Sequence, residues 1–376
     1  MKPRILFILH LPPPIHGSAM VGKYIQESEM INGEFDADFI NPSTSTNITD
    51  DMGKWRLSKI YKLLQIQTKI LQALLSKKYD LCYFTLTSNG PGFYRDLPIV
   101  FILKMFGKKI IYHFHNKGVG IAGKRKLYDL LYRYTFKNTL TILLSDYLYY
   151  DIESYVKREH VFYCPNGIPD NKVNNTRKTS SVLPCRLLYL GNMMVEKGVY
   201  ILLEACKQLK ERNVFFECHF VGGWSNISKE EFTNMLLKNQ LSDIVFSHGP
   251  KYNQEKDAYL DSSDIFVFPT TYHHEVLPIV NLEAMQHSLP VVSTPEGGIR
   301  DEVIDGETGF LVPQHNVDIL VEKLELLIQN PELRHKMGLN GAKRFRELFT
   351  LNKFEQNLTS ILKEAINRNM TYKRLN

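Results

Sequence analysis

The feature that most constrains this chain is an alternation, kept from end to end, of short apolar runs with longer amphipathic segments. "RILFILH", "LCYFTL", "KIIYHFH" and "LTILLS" stand in the first half, and "CRLLYLG", "FECHFVG", "IVFSHG", "DIFVFPT" and "PVVST" in the second. A strand that is apolar on both faces must be covered on both faces, as in a parallel sheet flanked by helices. The expected fold class is therefore α/β, with two doubly wound, Rossmann-like parallel sheets. Between the two sets lies "GIPDNKVNNTRKTSSVLP", polar and turn-rich, which marks a linker. The expected organisation is a first domain over 1–170, a linker over 171–183, a second domain over 184–350 and a closing helix over 351–376. Ligands of such folds bind at the carboxyl ends of the strands, and with two domains the expected place is the cleft between them.

At 376 residues the chain can bury two cores of ordinary size. Its five cysteines are scattered and odd in number, so neither a zinc site nor a disulfide framework is expected, and a reducing cytosol fits. "MKPRILFILHLPPP" has too short an apolar run for a signal peptide, and "PIVFILKMF" stops at Lys104 before it could span a bilayer. The expected location is cytoplasmic.

Candidate chemistry gathers in "TTYHHEVLPIVNLEAMQHSLPVVSTPEGG", where Glu275 is followed by seven residues and then Glu283. Pro278 stands where proline is favoured in a first helical turn, which would place Glu275 in the loop ahead of a helix and Glu283 inside it. A helix N-terminus offers unpaired N–H groups and partial positive charge, and so holds phosphate. Glu275 would then reach hydroxyls on one side of a bound diphosphate and Glu283 those on the other, as a nucleotide-sugar requires. The plainer reading is that Glu275 favours the helix dipole and Glu283 pairs with a lysine.

This segment resembles the E-x7-E signature of the family-4 retaining glycosyltransferases of the GT-B fold, with "EVLPIVNLEAM" carrying the match. "GNMMVEKG" resembles their diphosphate-binding turn, "PEGGIRDEVIDGETGFLVP" their glycine-rich loop, "PNGI" the domain boundary and "HFHN" the active-site histidine loop. The resemblance implies a closing helix that crosses back to the first domain. It implies a nucleoside-diphosphate sugar as donor, with no cofactor or metal required, and a saccharide or polyprenyl-linked acceptor met by the first domain, in cell-surface polysaccharide assembly. Residue by residue it assigns His115, Glu275 and Lys197 to catalysis. Gly17, Gly191, Asn192, Lys197, Val276, Leu277, Pro278, Ile279 and Glu283 fall to the donor, with Glu283 on the ribose. His16, His113 and Asn116 fall to the acceptor side.

Two positions depart from the family pattern. Asn192 stands where a basic residue is usual, and its amide can hydrogen-bond phosphate without offsetting its charge. His16 replaces one glycine of a pair, which narrows the approach to the backbone beside Gly17. His113 lies two residues before His115 and so on the same face of its strand; His115 is the favoured match. No nucleophile is evident, so front-face transfer is expected, with the leaving diphosphate taking the acceptor's proton and Lys197 and backbone amides stabilising its charge. A nicotinamide enzyme would want G-x-G-x-x-G after the first strand, and "HLPPPIHGSA" does not supply it. A nucleotide-sugar-binding protein or hydrolase is the closer alternative.

Charge is unevenly placed. From Lys54 to Lys137 there are 17 Lys and Arg against 3 Asp and Glu, a net +14 in a chain of net +6. "KWRLSKIYKLLQIQTKILQALLSKK" sets apolar residues at helical spacing beside Lys59, Lys62 and Lys69, with Trp55 and Tyr61 suited to headgroup level. An anionic membrane surface, at the inner face of the cell membrane, is the partner expected. The plainer reading is a sheet-covering helix with a solvated basic face. Nucleic acid is not expected, because no recognition motif accompanies the charge.

Overall fold

The structure is a computed structural model, and it describes residues 2–13, 17–44, 57–171 and 184–368. These form two compact units, one of the residues up to Gly167 together with those from Leu351 onward, the other running from Ile168 to Thr350.

The first unit is built on a parallel sheet of β1 (Arg4–Ile8), β2 (Asp36–Ile40), β3 (Leu81–Phe84), β4 (Ile110–His113), β5 (Leu140–Leu143) and β6 (Val161–Tyr163), in the order β2-β1-β3-β4-β5-β6. Its helices are α1 (Gly17–Glu27), α2 (Glu29–Glu34), α3 (Leu57–Ser76), α4 (Gly90–Met105), α5 (Val119–Ala122) and α6 (Lys126–Phe136). Every residue of β3, β4 and β5 is buried, as runs apolar on both faces require. β2 is the exception. It is an edge strand half exposed throughout, and its Asp36 and Asp38 pair with Arg4 and Lys77.

The second unit carries β7 (Cys185–Leu190), β8 (Phe216–Val221), β9 (Val245–Ser247), β10 (Ile265–Phe268), β11 (Val291–Ser293) and β12 (Gly309–Leu311), in the order β12-β11-β10-β7-β8-β9. Its helices are α7 (Val199–Glu211), α8 (Lys229–Lys238), α9 (Asn253–Ser262), α10 (Ile279–Gln286), α11 (Ile299–Glu302), α12 (Val317–Gln329) and α13 (Pro331–Leu348). This is the doubly wound order in which the winding reverses between the first and fourth strands, here β7 and β10, which pair through Ile265 with Leu187 and Phe266 with Leu188. The loops that leave their carboxyl ends flank the place where such sheets bind ligands.

The last helix, α14 (Leu351–Asn367), belongs to the first unit and packs against α2. Phe354, Leu358, Leu362 and Ala365 turn one stripe of it inward. Lys109 Nζ donates to the carbonyls of Ile366 at 2.5 Å and Arg368 at 2.8 Å, which fixes its C-terminal end.

Candidate functional site

In the second unit the turn after β7 runs from Gly191 to Gly198 and is drawn tightly against the loop after β10. Gly198 has φ +83°, and a Cβ there would run into the carbonyl of Pro269, so only glycine permits both the conformation and the approach. The Glu196 carbonyl accepts from Thr271 N at 2.7 Å and Thr271 Oγ1 at 3.1 Å, which ties the two loops together. Asn192 is held through its main chain, its carbonyl accepting from Tyr189 Oη at 3.0 Å.

That tie brings Lys197 to Glu275. Lys197 Nζ lies 3.6 Å from Glu275 Oε2, with the rings of Phe268 at 5.7 Å and Tyr272 at 5.8 Å. The separation is that of an ion pair rather than a hydrogen bond, and Oε2 is buried without a hydrogen-bond partner among the described residues. A buried carboxylate oxygen left in this way is ready to accept from a ligand hydroxyl.

Beyond Glu275, the side chains of Val276 and Leu277 are buried, so the ligand contacts open to them are through their main chain. Gly298 N donates to the Val276 carbonyl at 2.5 Å, and a Cβ on Gly297 would meet the Glu275 carbonyl, so the glycine-rich loop lies directly on the backbone that carries Glu275. Pro278 does not stand in the first helical turn. It is the N-cap of α10, with φ −71° and ψ 118°, and the helix starts at Ile279. The fixed φ of proline suits either position, and here ψ stays extended for one residue more.

Glu283 lies inside α10, where Lys256 from α9 reaches its Oε1 at 2.5 Å. Burial pushes its carboxyl above the ordinary range, and Lys256 offsets only part of that rise. The carboxylate is thus paired with a lysine and also stands on the helix that follows the candidate phosphate loop. Ribose hydroxyls would be bound equally in ground and transition states, so Glu283→Ala is expected to raise the donor KM about tenfold while changing kcat much less. Initial-rate kinetics at varied donor check this; an unchanged donor KM would leave the Lys256 pair as the residue's whole role.

Gly17, His113, His115 and Asn116 belong to the first unit. Gly17 opens α1, and His16 lies outside the described residues. His113 ends β4 fully buried, 2.5 Å from the hydroxyl of Tyr83 through its Nδ1. Burial raises the Tyr83 phenol and lowers His113, so the two meet as neutral groups sharing one hydrogen bond whose direction is set by the His113 tautomer. His115 lies against it with ring centroids 4.3 Å apart and ring planes tilted by 40°, and it retains partial exposure, which makes it the outer member of the pair. Asn116 Oδ1 accepts from Ser88 N at 3.1 Å and so joins the loops that follow β3 and β4.

Sequence reasoning missed Lys256, Tyr272 and Tyr189. Lys256 is 27 residues from Glu283 and meets it only once α9 and α10 pack, so no local pattern marks it. Tyr272 could have been suspected, since it stands in the same loop as Glu275.

Comparison with known proteins bears on the fold. Among solved structures, the Anabaena protein HepE in complex with UDP superposes with a TM-score of 0.73 at 16% identity, over 96% of this chain and all of that one. Sucrose-phosphate synthase from Thermosynechococcus elongatus gives 0.72 at 17%, over 97% and 99%. The fold is GT-B. Residues 177–344 match the family model described as glycosyl transferases group 1. Curated relatives include the capsular polysaccharide biosynthesis glycosyltransferase CapM of Staphylococcus aureus, 28% identical over 43% of this chain and 41% of its own length. The putative colanic acid biosynthesis glycosyltransferase WcaL of Escherichia coli K12 is 28% identical over 46% and 43%. An uncharacterized glycosyltransferase of Methanocaldococcus jannaschii is 33% identical over 47% of each. The chain spans less than half the length of these curated relatives.

Proposed function

We propose that this protein is a retaining glycosyltransferase that moves a sugar from a nucleoside-diphosphate sugar to a hydroxyl of a saccharide or lipid-linked saccharide, in the assembly of a cell-surface polysaccharide. The observation that carries the reading is the meeting of Lys197 and Glu275 where the strand order reverses in the second unit. An incoming diphosphate would take Lys197 from Glu275, since two negative groups compete for one ammonium. Amides at the start of α10 and the Asn192 side chain add hydrogen bonds to the same phosphates. Glu275, released from Lys197, accepts from hydroxyls of the sugar. The anomeric carbon–phosphate oxygen bond then breaks while the acceptor oxygen bonds to that carbon on the same face, and the acceptor's proton passes to the departing diphosphate. Lys197 and the amides stabilise the charge that develops there. Acceptor recognition is assigned to the first unit, together with His115. Because HepE is described in complex with UDP, uridine nucleotides are the first donors to examine. The test is a donor panel read by release of nucleoside diphosphate with and without saccharide acceptors; acceptor-dependent release supports transfer.

We assign an anionic membrane surface to the same proposal. α3 buries Ile66, Ile70 and Leu74 against the unit and exposes Ile60, Tyr61 and Leu64 beside its lysines, so it is both a sheet-covering helix and a helix with a second apolar group outward. Leu127 and Leu130 of α6 are also exposed, next to the run Lys124, Arg125 and Lys126. Trp55 lies outside the described residues. Among the described residues no helix is long and apolar enough to cross a membrane. Each basic residue near an anionic leaflet adds about 1 kcal/mol. Co-sedimentation with vesicles is therefore expected to rise with anionic lipid content and fall with salt; no binding to anionic vesicles at low salt would contradict the assignment.

A further inference from the structure

Behind the Lys197–Glu275 pair, Glu302 closes α11 with no exposed surface and no ion-pair partner among the described residues. It hydrogen-bonds to the side chain of Asn281, equally buried in the first turn of α10, whose Nδ2 donates to Glu302 Oε2 at 2.7 Å. The two remaining polar atoms of this pair, Glu302 Oε1 and Asn281 Oδ1, are both buried and both without a hydrogen-bond partner among the described residues. With the carboxyl ionised, both are acceptors, and the interior would hold an unpaired charge beside two unsatisfied oxygens, the arrangement that burial penalises most. One proton on Oε1 would remove the charge and turn one orphaned acceptor into a donor that can serve Asn281 Oδ1.

We propose that Glu302 is held as the neutral acid, that it closes a two-bond acid–amide pair with Asn281, and that through this pair it is a positioning residue for the donor-binding end of α10. The placement gives it that leverage. Asn281 N donates to the Pro278 carbonyl at 3.1 Å, and Asn281 precedes Glu283 by two residues. Glu302 follows the glycine-rich loop that lies on the Glu275 and Val276 backbone. From the far side, Arg344 of α13 donates to the carbonyls of Asp301 at 2.6 Å and Glu302 at 3.2 Å, so α11 is anchored to α13 while its last side chain locks α10.

The charges around the carboxyl agree with a bound proton. Burial is the largest influence and pushes it well above the carboxylate range; the Asn281 hydrogen bond pulls it back in part, and Glu275 and Asp301 add to the rise. α10 faces it with a neutral amide, and the guanidinium of Arg344 is spent on main-chain carbonyls. An acid whose folded pKa is raised contributes most stability below its unfolded value, and loses that contribution as pH climbs from there towards the folded value. Glutamine in its place carries no such dependence, while its amide can still donate to Asn281 Oδ1.

The inference rests on the proposed function only in taking α10 as the donor helix, and its test separates the two. Melting temperatures of wild type and Glu302→Gln are compared from pH 5 to 8, and UDP affinity is measured by calorimetry for both and for Glu302→Ala. The Gln variant is expected to gain on wild type by about 2 °C or more per pH unit. It is expected to bind UDP as wild type does, while Glu302→Ala binds about tenfold more weakly or more. A melting difference that stays flat, or turns against Glu302→Gln as pH rises, overturns the neutral acid. Unchanged UDP affinity in Glu302→Ala overturns the positioning role. Should Glu302→Ala not fold, Asn281→Ala takes its place in the binding arm. Failure of wild type to bind UDP counts against uridine as the donor nucleotide, and the melting series still decides the state of Glu302.

Discussion

Turnover in Lys197→Ala is expected to fall by about a hundredfold or more at saturating donor, because the leaving diphosphate loses the cation that offsets its developing charge. Glu275→Gln is expected to lose a similar factor by a different route, since it keeps the shape of the side chain and gives up the charge that orients the sugar hydroxyls. The two variants differ in stability. Glu275 has a side chain only 14% exposed, so removing Lys197 strands a nearly buried carboxylate and lowers the melting temperature, whereas Glu275→Gln removes the charge together with the need for a partner. Circular dichroism confirms the fold, and released nucleoside diphosphate measures turnover. Wild-type turnover in either variant would mean that residue has no part in the reaction.

Gly198→Ala is expected to destabilise the second unit strongly. The backbone there is left-handed, which costs a residue with a Cβ about 1–3 kcal/mol, and the added carbon also overlaps the Pro269 carbonyl, which can move only with the loop after β10. For a unit of this size each kcal/mol corresponds to about 2–4 °C, so the melting temperature is expected to drop by about 5 °C or more. The loops that meet at Gly198 carry Lys197 and Glu275, and turnover should fall alongside. Unchanged melting would show that the close approach at Pro269 is not needed.

What could be read directly from the residues was what depends on local pattern. β3, β4, β5 and β10 are buried on both faces, and their apolar runs announced them. β2, β6 and β12 went unread. β2 alternates acidic and apolar residues because it lies at a sheet edge where Arg4 and Lys77 neutralise it. β6 and β12 are three-residue edge strands too short for any periodicity. At the site, the place of Glu275 in a loop ahead of a helix could be read from its spacing to Pro278 and Glu283, whereas Lys197 was singled out only by the resemblance of "GNMMVEKG" to a diphosphate-binding turn. Lys256 and Glu302 were not legible, since what each does depends on which helices come to lie side by side, and a buried glutamate gives no sign in the sequence that it is buried. Pro278 shows the finer limit: proline fixes its own φ, and the ψ that decides whether the helix has begun is set by the loop around it.

The central claim is transfer with retention, and the most direct measurement is the anomeric configuration of the product. The protein is incubated with an α-linked nucleoside-diphosphate sugar and a saccharide acceptor under conditions that give acceptor-dependent release of nucleoside diphosphate, and the new linkage is examined by NMR. A purified product with the α-configuration is the expected result. A β-linked product, or free sugar released without any acceptor conjugate, would contradict it.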